Sequence, residues 1–271
     1  MTAKSMRLDA RAPSAVEVRQ VGKTFGNGFR ALEEIDVCIK EGQFLSIVGP
    51  SGCGKSTLLQ IVAGLTASSS GQVLIDGKPV TGPQPGDIAV IFQDALLLPW
   101  KTTLQNVEFP LDLQGVPAAA RRAKSIEMID MVGLKDFRDS YPHQLSGGMR
   151  QRVSIARGLA QDPRIILMDE PFGALDEQTR IRMGQELVRI WEGSRKTVLF
   201  ITHSLTEAIF LSDEVVVMGR NPGRVLERIP IPLPRPRVAD MMGTDIFGRL
   251  RNRIWHLLTD EADSTSRAPG L

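Results

Sequence analysis

The strongest chemical signal in the sequence is a glycine-rich loop that ends in a lysine and a serine, in the pattern G-x-x-x-x-G-K-[ST]. Glycines allow the backbone to wrap around a phosphate with its N–H groups pointing inward. The helix that follows presents its positive dipole end to the same anion. We expect Lys55 to reach the β- and γ-phosphates of a nucleotide and the Ser56 hydroxyl to bind Mg²⁺. Cys53 is expected to be a small filler without a redox role. The predicted phosphate-binding residues are Gly49, Pro50, Ser51, Gly52, Cys53, Gly54, Lys55, Ser56 and Thr57.

Two carboxylates follow an apolar stretch at residues 165–168 that is typical of a buried strand. An aspartate at such a strand end, here Asp169, is suited to holding Mg²⁺, often through water. The next residue, Glu170, is suited to polarising an attacking water as a general base. Taken alone, the pair would be better explained as a solvated strand end, because apolar strands that end in Asp-Glu are common. The phosphate-binding loop upstream favours the catalytic interpretation.

A third segment, Ser146-Gly147-Gly148, predicts a second anion site at the start of a helix. Serine is a favourable N-cap, and two glycines in the first turn leave backbone N–H groups open to an anion. By itself the segment would be an ordinary helix cap. In the company of the other two motifs it is diagnostic of a family.

With these segments in this order, the chain resembles the ATP-binding-cassette (ABC) ATPases, the nucleotide-binding subunits of ABC transporters, over roughly residues 15–225. The resemblance implies ATP as the nucleotide, Mg²⁺ as its cofactor and ATP hydrolysis coupled to transport. The implied fold is α/β, with a P-loop NTPase (RecA-like) core, an antiparallel β subdomain and an inserted α-helical subdomain. The implied location is peripheral, on the cytoplasmic face of the inner membrane.

The same resemblance assigns roles to four residues outside these motifs. Gln93 would contact Mg²⁺ and the attacking water, and His203 would contact the γ-phosphate. Asp176 would lie in a loop that crosses the dimer interface, and Phe25 would stack on adenine. Taken alone, Gln93 would be a surface polar residue, His203 a strand-end histidine and Phe25 a packed loop residue.

The resemblance also implies partners. Two copies of the chain would pack head to tail, with each ATP held by Lys55 of one copy and by Ser146, Gly147 and Gly148 of the other. Two transmembrane permease subunits would join them, and a substrate-binding protein would act indirectly through the permease. Residues 96–100, which read Leu-Leu-Leu-Pro-Trp, either line a groove for a permease helix or close the core of the helical subdomain.

The C-terminal part of the chain resembles the nitrate/sulfonate/taurine importer group, which includes importers of thiamine-precursor pyrimidines. Residues 222–224 read Pro-Gly-Arg, and residues 233–237 read Leu-Pro-Arg-Pro-Arg. This resemblance implies import of a small oxyanion, an organosulfonate or a pyrimidine. Two alternatives stay open. One is the ATPase subunit of a single-cassette exporter, and the other is a nucleic-acid-linked ATPase, whose hydrolysis DNA or RNA would stimulate.

The elements that position these residues are predicted from hydrophobic periodicity and turn residues. Short apolar strands precede the phosphate-binding loop, Gln93, Asp169 and His203, and helices alternate with them. The predicted strands include residues 44–48, 88–92, 165–168, 197–201 and 214–218, the last of the chain. The predicted helices include residues 57–65, 179–191 and 245–258. Four regions are predicted: a disordered tail at 1–14, an ATPase domain at 15–225, a helical subdomain inserted at about 95–157, and a proline-rich extension at 226–271. Residues 221–237 are expected to be extended rather than packed, and residues 261–271 are expected to be disordered.

Composition excludes several classes of protein. The 271 residues are 42% apolar and 24% charged, as in ordinary globular proteins. A formal charge of +2 and 5% aromatic residues disfavour a nucleic-acid partner. Two cysteines do not make a disulfide framework, and no apolar run approaches the ~18 residues of a membrane span.

Overall fold

Two β-sheets organise the chain in the computed structural model, which describes residues 14–266 and the side chains of residues 14–261. The strands are β1 (Ser14–Thr24), β2 (Arg30–Lys40), β3 (Phe44–Val48), β4 (Ser70–Ile75), β5 (Lys78–Pro79), β6 (Ile88–Ile91), β7 (Ile165–Asp169), β8 (Thr197–Ile201), β9 (Glu214–Gly219) and β10 (Arg224–Pro230). One sheet is antiparallel, in the order β2-β1-β4-β5, and the other has six strands in the order β10-β9-β3-β8-β7-β6.

The described part of the chain also contains seven α-helices. They are α1 (Lys55–Val62), α2 (Thr103–Leu113), α3 (Ala118–Met131), α4 (Gly147–Ala160), α5 (Glu177–Ser194), α6 (Leu205–Leu211) and α7 (Asp245–Ser266). Within residues 14–266, no helix combines the length and the apolar character needed to cross a membrane. The predicted fold class is confirmed: an α/β core with a separate antiparallel sheet and a group of inserted helices.

The six-stranded sheet has its short central strands buried on both faces. Every residue of β3, β7 and β8 is buried, as expected for parallel strands covered on both sides. Strands β6, β7, β8, β3 and β9 run parallel, whereas β10 is antiparallel to β9. The carboxyl ends of the parallel strands therefore meet at one edge, where open α/β sheets bind ligands.

The inserted helices lie between β6 and β7. Helices α2, α3 and α4 pack on one another, and α4 also contacts β6. Helix α4 continues to Ala160, three residues past the predicted boundary at 157. It extends because Leu159 and Ala160 continue its buried face, and the chain leaves the helix only at Asp162, whose φ is +50°.

The C-terminal region differs from its prediction in two respects. Residues 224–230 form β10 on the edge of the sheet, so β9 is not the last strand and a boundary at 226 would cut a strand. An edge strand tolerates the proline at its end. Helix α7 runs to Ser266 rather than 258, and Glu261 is buried against Arg224, whose Nη2 lies 2.8 Å from Oε1. The helix thus continues through residues 261–266, for which the sequence predicts disorder, while residues 1–13 and 267–271 lie outside the described residues.

Candidate active site

The parallel sheet brings four predicted segments to its carboxyl edge. The phosphate-binding loop follows β3, Gln93 follows β6, Asp169 ends β7 and His203 follows β8. The strand register places Asp169 opposite Ile201. Because these strands are neighbours and end together, side chains far apart in sequence can contact one another.

The phosphate-binding loop has a backbone that requires glycine at a specific position. Gly54 has φ of +91°, and a Cβ there would lie 2.5 Å from the Leu32 side chain and 2.9 Å from the Ala31 carbonyl oxygen. The lysine that follows is 6% exposed. Its Nζ donates hydrogen bonds to the carbonyl oxygens of Gly49, at 2.8 Å, and Pro50, at 3.0 Å. The Lys55 ammonium is thus held across the inside of the loop.

Cys53 fills space beneath this loop. The residue is buried, and burial raises the pKa of its thiol. A Cβ on Gly49 would lie 2.8 Å from Cys53 Sγ. The side chain is therefore packed and protonated at neutral pH, in keeping with the expectation of a filler.

Ser56 and Asp169 bring two side-chain oxygens together. The Ser56 hydroxyl donates a hydrogen bond of 3.1 Å to Asp169 Oδ1. Burial raises the pKa of Asp169, and the hydrogen bond from Ser56 opposes that rise. A hydroxyl and a carboxylate beside a phosphate-binding loop fit Mg²⁺, which takes few protein oxygens and completes its shell with phosphate and water.

Glu170 and His203 form a second contact at the same edge. His203 Nδ1 lies 3.0 Å from Glu170 Oε2, and the histidine side chain is 58% exposed against 20% for the glutamate. Glu170 has φ of +45°, and its N–H donates to the Ile201 carbonyl oxygen at 2.9 Å. A non-glycine residue held in this region costs free energy and is typical of functional sites. The geometry places a half-buried carboxylate beside a more exposed imidazole.

The segment around Gln93 is anchored by residues that sequence reasoning missed. Gln93 is exposed. Gln151 Nε2 on α4 donates to the Phe92 carbonyl oxygen at 2.9 Å, and Arg157 donates to the carbonyl oxygens of Ala95 and Leu96, both at 2.8 Å. No sequence signal distinguishes these two side chains from solvent-facing polar residues on a helix.

The residues after Gln93 divide between the two predicted environments. Leu97 packs against the core. Leu96 and Trp100 are 59% and 70% exposed. One side chain of the segment therefore closes the helical subdomain, and two large apolar side chains lie on its surface.

The predicted second anion site lies at the start of α4. Ser146 is the N-cap, and its Oγ accepts a hydrogen bond of 3.2 Å from the Met149 N–H. Ser146 and Gly147 are exposed. Gly148 packs closely, since a Cβ there would lie 3.3 Å from the Ala174 carbonyl oxygen and 3.2 Å from a Leu175 methyl carbon. The helix N-terminus thus faces solvent beside residues 174–176.

Asp176 and Phe25 each make contacts with neighbouring residues that account for their positions. Asp176 caps α5 by accepting a hydrogen bond of 2.9 Å from the Thr179 N–H. Hydrogen bonds from the Thr179 side chain and from its backbone N–H lower the pKa of the Asp176 carboxyl. Phe25 lies in the turn between β1 and β2, is 41% exposed and stacks on Phe29 with ring centroids 6.4 Å apart. The Lys23 ammonium lies 5.3 Å from the centre of the Phe25 ring. Both side chains remain open to a ligand or a partner.

The chain is similar to known proteins both in sequence and in fold. Residues 32–173 match the family described as ABC transporter. An uncharacterized ABC transporter ATP-binding protein of Methanocaldococcus jannaschii is 50% identical over 91% of this chain and 92% of its own length. A taurine import ATP-binding protein of Rhizobium johnstonii is 44% identical over 90% of this chain and 95% of its own length. A dimeric ATP-binding cassette, solved in a post-hydrolysis state with ADP and Pi, is 34% identical and matches with a TM-score of 0.74 over 81% of this chain and 100% of that chain.

Proposed function

Since this chain belongs to the ABC transporter family of ATP-binding proteins, we propose that it is the ATP-hydrolysing subunit of an importer. Its substrate would be a small anion or organic solute of the nitrate, aliphatic sulfonate, taurine or pyrimidine type. The observation that carries the proposal is the placement of two contacts at one sheet edge. Ser56 Oγ lies 3.1 Å from Asp169, and Glu170 lies 3.0 Å from His203. A metal-binding pair and a base with its neighbour thus stand beside the phosphate-binding loop.

The proposed chemistry assigns one task to each side chain. Lys55 and the loop N–H groups bind the β- and γ-phosphates and offset their charge. Glu170 accepts a proton from a water, whose oxygen attacks the γ-phosphorus while the bond to the β-phosphate oxygen breaks, leaving ADP and phosphate. His203 contacts the γ-phosphate from its position beside Glu170. Ser56, Asp169 and Gln93 would hold Mg²⁺, which supplies positive charge to the phosphates when bound.

The proposed site is completed by a second copy of the chain. The N-terminus of α4 exposes Ser146 and Gly147, whose first-turn N–H groups have no intrahelical partner by geometry. Such an end favours an anion. In a head-to-tail dimer it would meet the nucleotide on the partner's loop, and Asp176 would lie at the interface. The dimeric state of the similar solved cassette supports this arrangement.

The Gly147→Asp variant tests the second anion site without disturbing the fold. A Cβ on Gly147 meets only Arg150, at 3.9 Å, and an acidic residue in the first turn stabilises a helix. The melting temperature should therefore stay equal or rise. A carboxylate facing the triphosphate should lower kcat at least about tenfold, because like charges repel in a desolvated site. Steady-state ATPase assays and thermal melts measure both quantities.

The control for that variant is Gly147→Ala, which adds the same Cβ without the carboxylate. We expect its kcat to stay within about threefold of wild type. Equal activity of the two variants would contradict the proposal that this helix end faces phosphate.

The proposed transport role rests on the exposed apolar side chains and on the relatives. Leu96 and Trp100 are mostly exposed, and they follow Gln93, so a permease helix docked there would contact the loop that holds this glutamine. Import of a small sulfonate-like solute is proposed from the similar taurine import protein. The permease would have two transmembrane subunits, served by a substrate-binding protein, with this chain peripheral on the cytoplasmic face.

Co-purification tests the transport role. The chain is tagged in its native cell, membranes are solubilised in mild detergent, and the proteins bound to it are identified. We expect a permease in two copies per two copies of this chain, and loss of the permease from the Trp100→Asp variant. Recovery of an exporter protein would contradict the import role, and stimulation of ATP hydrolysis by DNA or RNA would contradict transport altogether.

A further inference from the structure

The short helix that begins directly after His203 is capped at its other end by two arginines from the proline-rich segment. Ser204 is the N-cap of α6, and the helix ends at Leu211. The last carbonyl groups of a helix have no intrahelical partner. Here Arg237 donates from Nη1 to the Ile209 oxygen, at 3.0 Å, and from Nη2 to the Ser212 oxygen, at 3.0 Å. Arg235 Nη2 donates to the Leu211 oxygen at 2.8 Å.

Arg237 is suited to a permanent structural contact. The residue is 6% exposed, although arginine is rarely buried. Burial, and then the neighbouring guanidinium of Arg235, lower the pKa of Arg237 to about 10. The side chain therefore stays charged at neutral pH, and its charge is favourable at the negative end of a helix dipole.

Arg235 ties the same helix end to two further elements. Its guanidinium pairs with Asp213, at 2.9 Å, and lies 4.0 Å from the centre of the Trp191 ring on α5. Asp213 Oδ2 in turn accepts a hydrogen bond of 2.9 Å from the Phe44 N–H at the start of β3. The far ends of α5, α6 and β3 are thus joined by one polar network.

The near ends of these elements carry proposed site residues. Asp176 is the N-cap of α5, α6 starts two residues after His203, and β3 leads into the phosphate-binding loop. Helix α6 has seven residues, or about two turns, so a displacement of its end is transmitted to its start. We propose that Arg235 and Arg237 are positioning residues for ATP hydrolysis, which hold α6 and thereby keep the His203 imidazole in place beside Glu170.

This inference rests on the proposed ATPase activity, and the Arg237→Met variant of the full-length chain tests it. Methionine keeps an apolar stem of similar length and removes all donors. We expect kcat to fall about tenfold, because a small misplacement of a catalytic group is costly. The dissociation constant for a fluorescent ATP analogue, measured in EDTA to prevent hydrolysis, should stay within about twofold, since the phosphate-binding loop does not contact Arg237.

Two controls separate positioning from general destabilisation. Arg253→Met removes an exposed arginine from α7 that pairs with Glu227, and should leave kcat unchanged. Val73→Ala leaves a cavity at a buried position of the antiparallel sheet. It should lower the melting temperature without lowering kcat as Arg237→Met does. If Arg237→Met does not fold, Arg237→Lys replaces it as the test variant. We expect its kcat to fall about threefold, because one ammonium cannot reach the carbonyl oxygens of both Ile209 and Ser212.

Wild-type kcat in the Arg237 variant that folds would overturn the inference while leaving the proposed function intact. The inference would also be overturned if Val73→Ala, at the same melting temperature as the Arg237 variant, lost as much kcat. A loss of nucleotide affinity in the Arg237 variant as large as its loss of kcat would overturn it too. Absence of hydrolysis by the wild-type chain would overturn the proposed function, and this inference with it.

Discussion

Substituting Glu170→Gln should lower kcat for ATP hydrolysis by about a thousandfold while ATP still binds. The amide keeps the size of the side chain and its place beside His203, where the carboxylate lies 3.0 Å from Nδ1. The glutamine amide, however, cannot accept a proton from water. The phosphate-binding loop is unaltered, so ATP bound without turnover should also hold two copies together. Steady-state hydrolysis and size-exclusion chromatography with ATP measure the two effects.

The control for this variant is Glu127→Gln, which changes an exposed carboxylate on α3 that pairs with Lys124 at 3.2 Å. Its kcat should equal that of wild type, because exposed ion pairs contribute little. Unchanged turnover in Glu170→Gln would show that another group is the base. A monomeric Glu170→Gln protein at saturating ATP would contradict the head-to-tail dimer.

Substituting Lys55→Met should weaken ATP binding by about a hundredfold and remove hydrolysis, because a buried charge that pairs with phosphate contributes roughly 3 kcal/mol. The ammonium is held by the carbonyl oxygens of Gly49 and Pro50, so it is already placed inside the loop. Methionine retains most of the apolar stem, and the protein should remain folded. Isothermal titration with ATP and Mg²⁺, together with a thermal melt, measures affinity and folding.

Lys78→Met serves as the control, since Lys78 is an exposed residue of β5 in the antiparallel sheet. Its affinity for ATP should match that of wild type. Wild-type affinity in Lys55→Met would remove the basis for the phosphate site, and with it the proposed function.

Contiguous motifs were predictable from the sequence because their chemistry is local. The loop from Gly49 to Ser56 depends on glycine conformations and on one lysine and one hydroxyl, all within a few residues. The buried strands were predictable for a similar reason. The length and composition of apolar runs such as those of β3 and β7 are typical of buried strands. The resemblance to a family then followed from the order of these motifs along the chain.

The proline-rich segment shows where composition misleads. Prolines disfavour central strands and helices, so residues 221–237 were expected to be extended and unpacked. The structure instead pairs Arg224–Pro230 with β9 and buries Arg237 against α6. A proline-rich strand end and a free proline-rich segment have the same composition, and only the neighbouring elements distinguish them.

Residue types and short spacings were enough to identify candidates for binding phosphate, holding Mg²⁺ and accepting a proton, since these capacities are local. The tertiary structure alone decided that Ser56 contacts Asp169 and that Gln151 and Arg157 anchor the segment around Gln93. It also decided that Arg235 and Arg237 cap the helix after His203. The physical reason is that a polar side chain has many possible partners of equal chemistry, and the packing of strands and helices distant in sequence selects one of them.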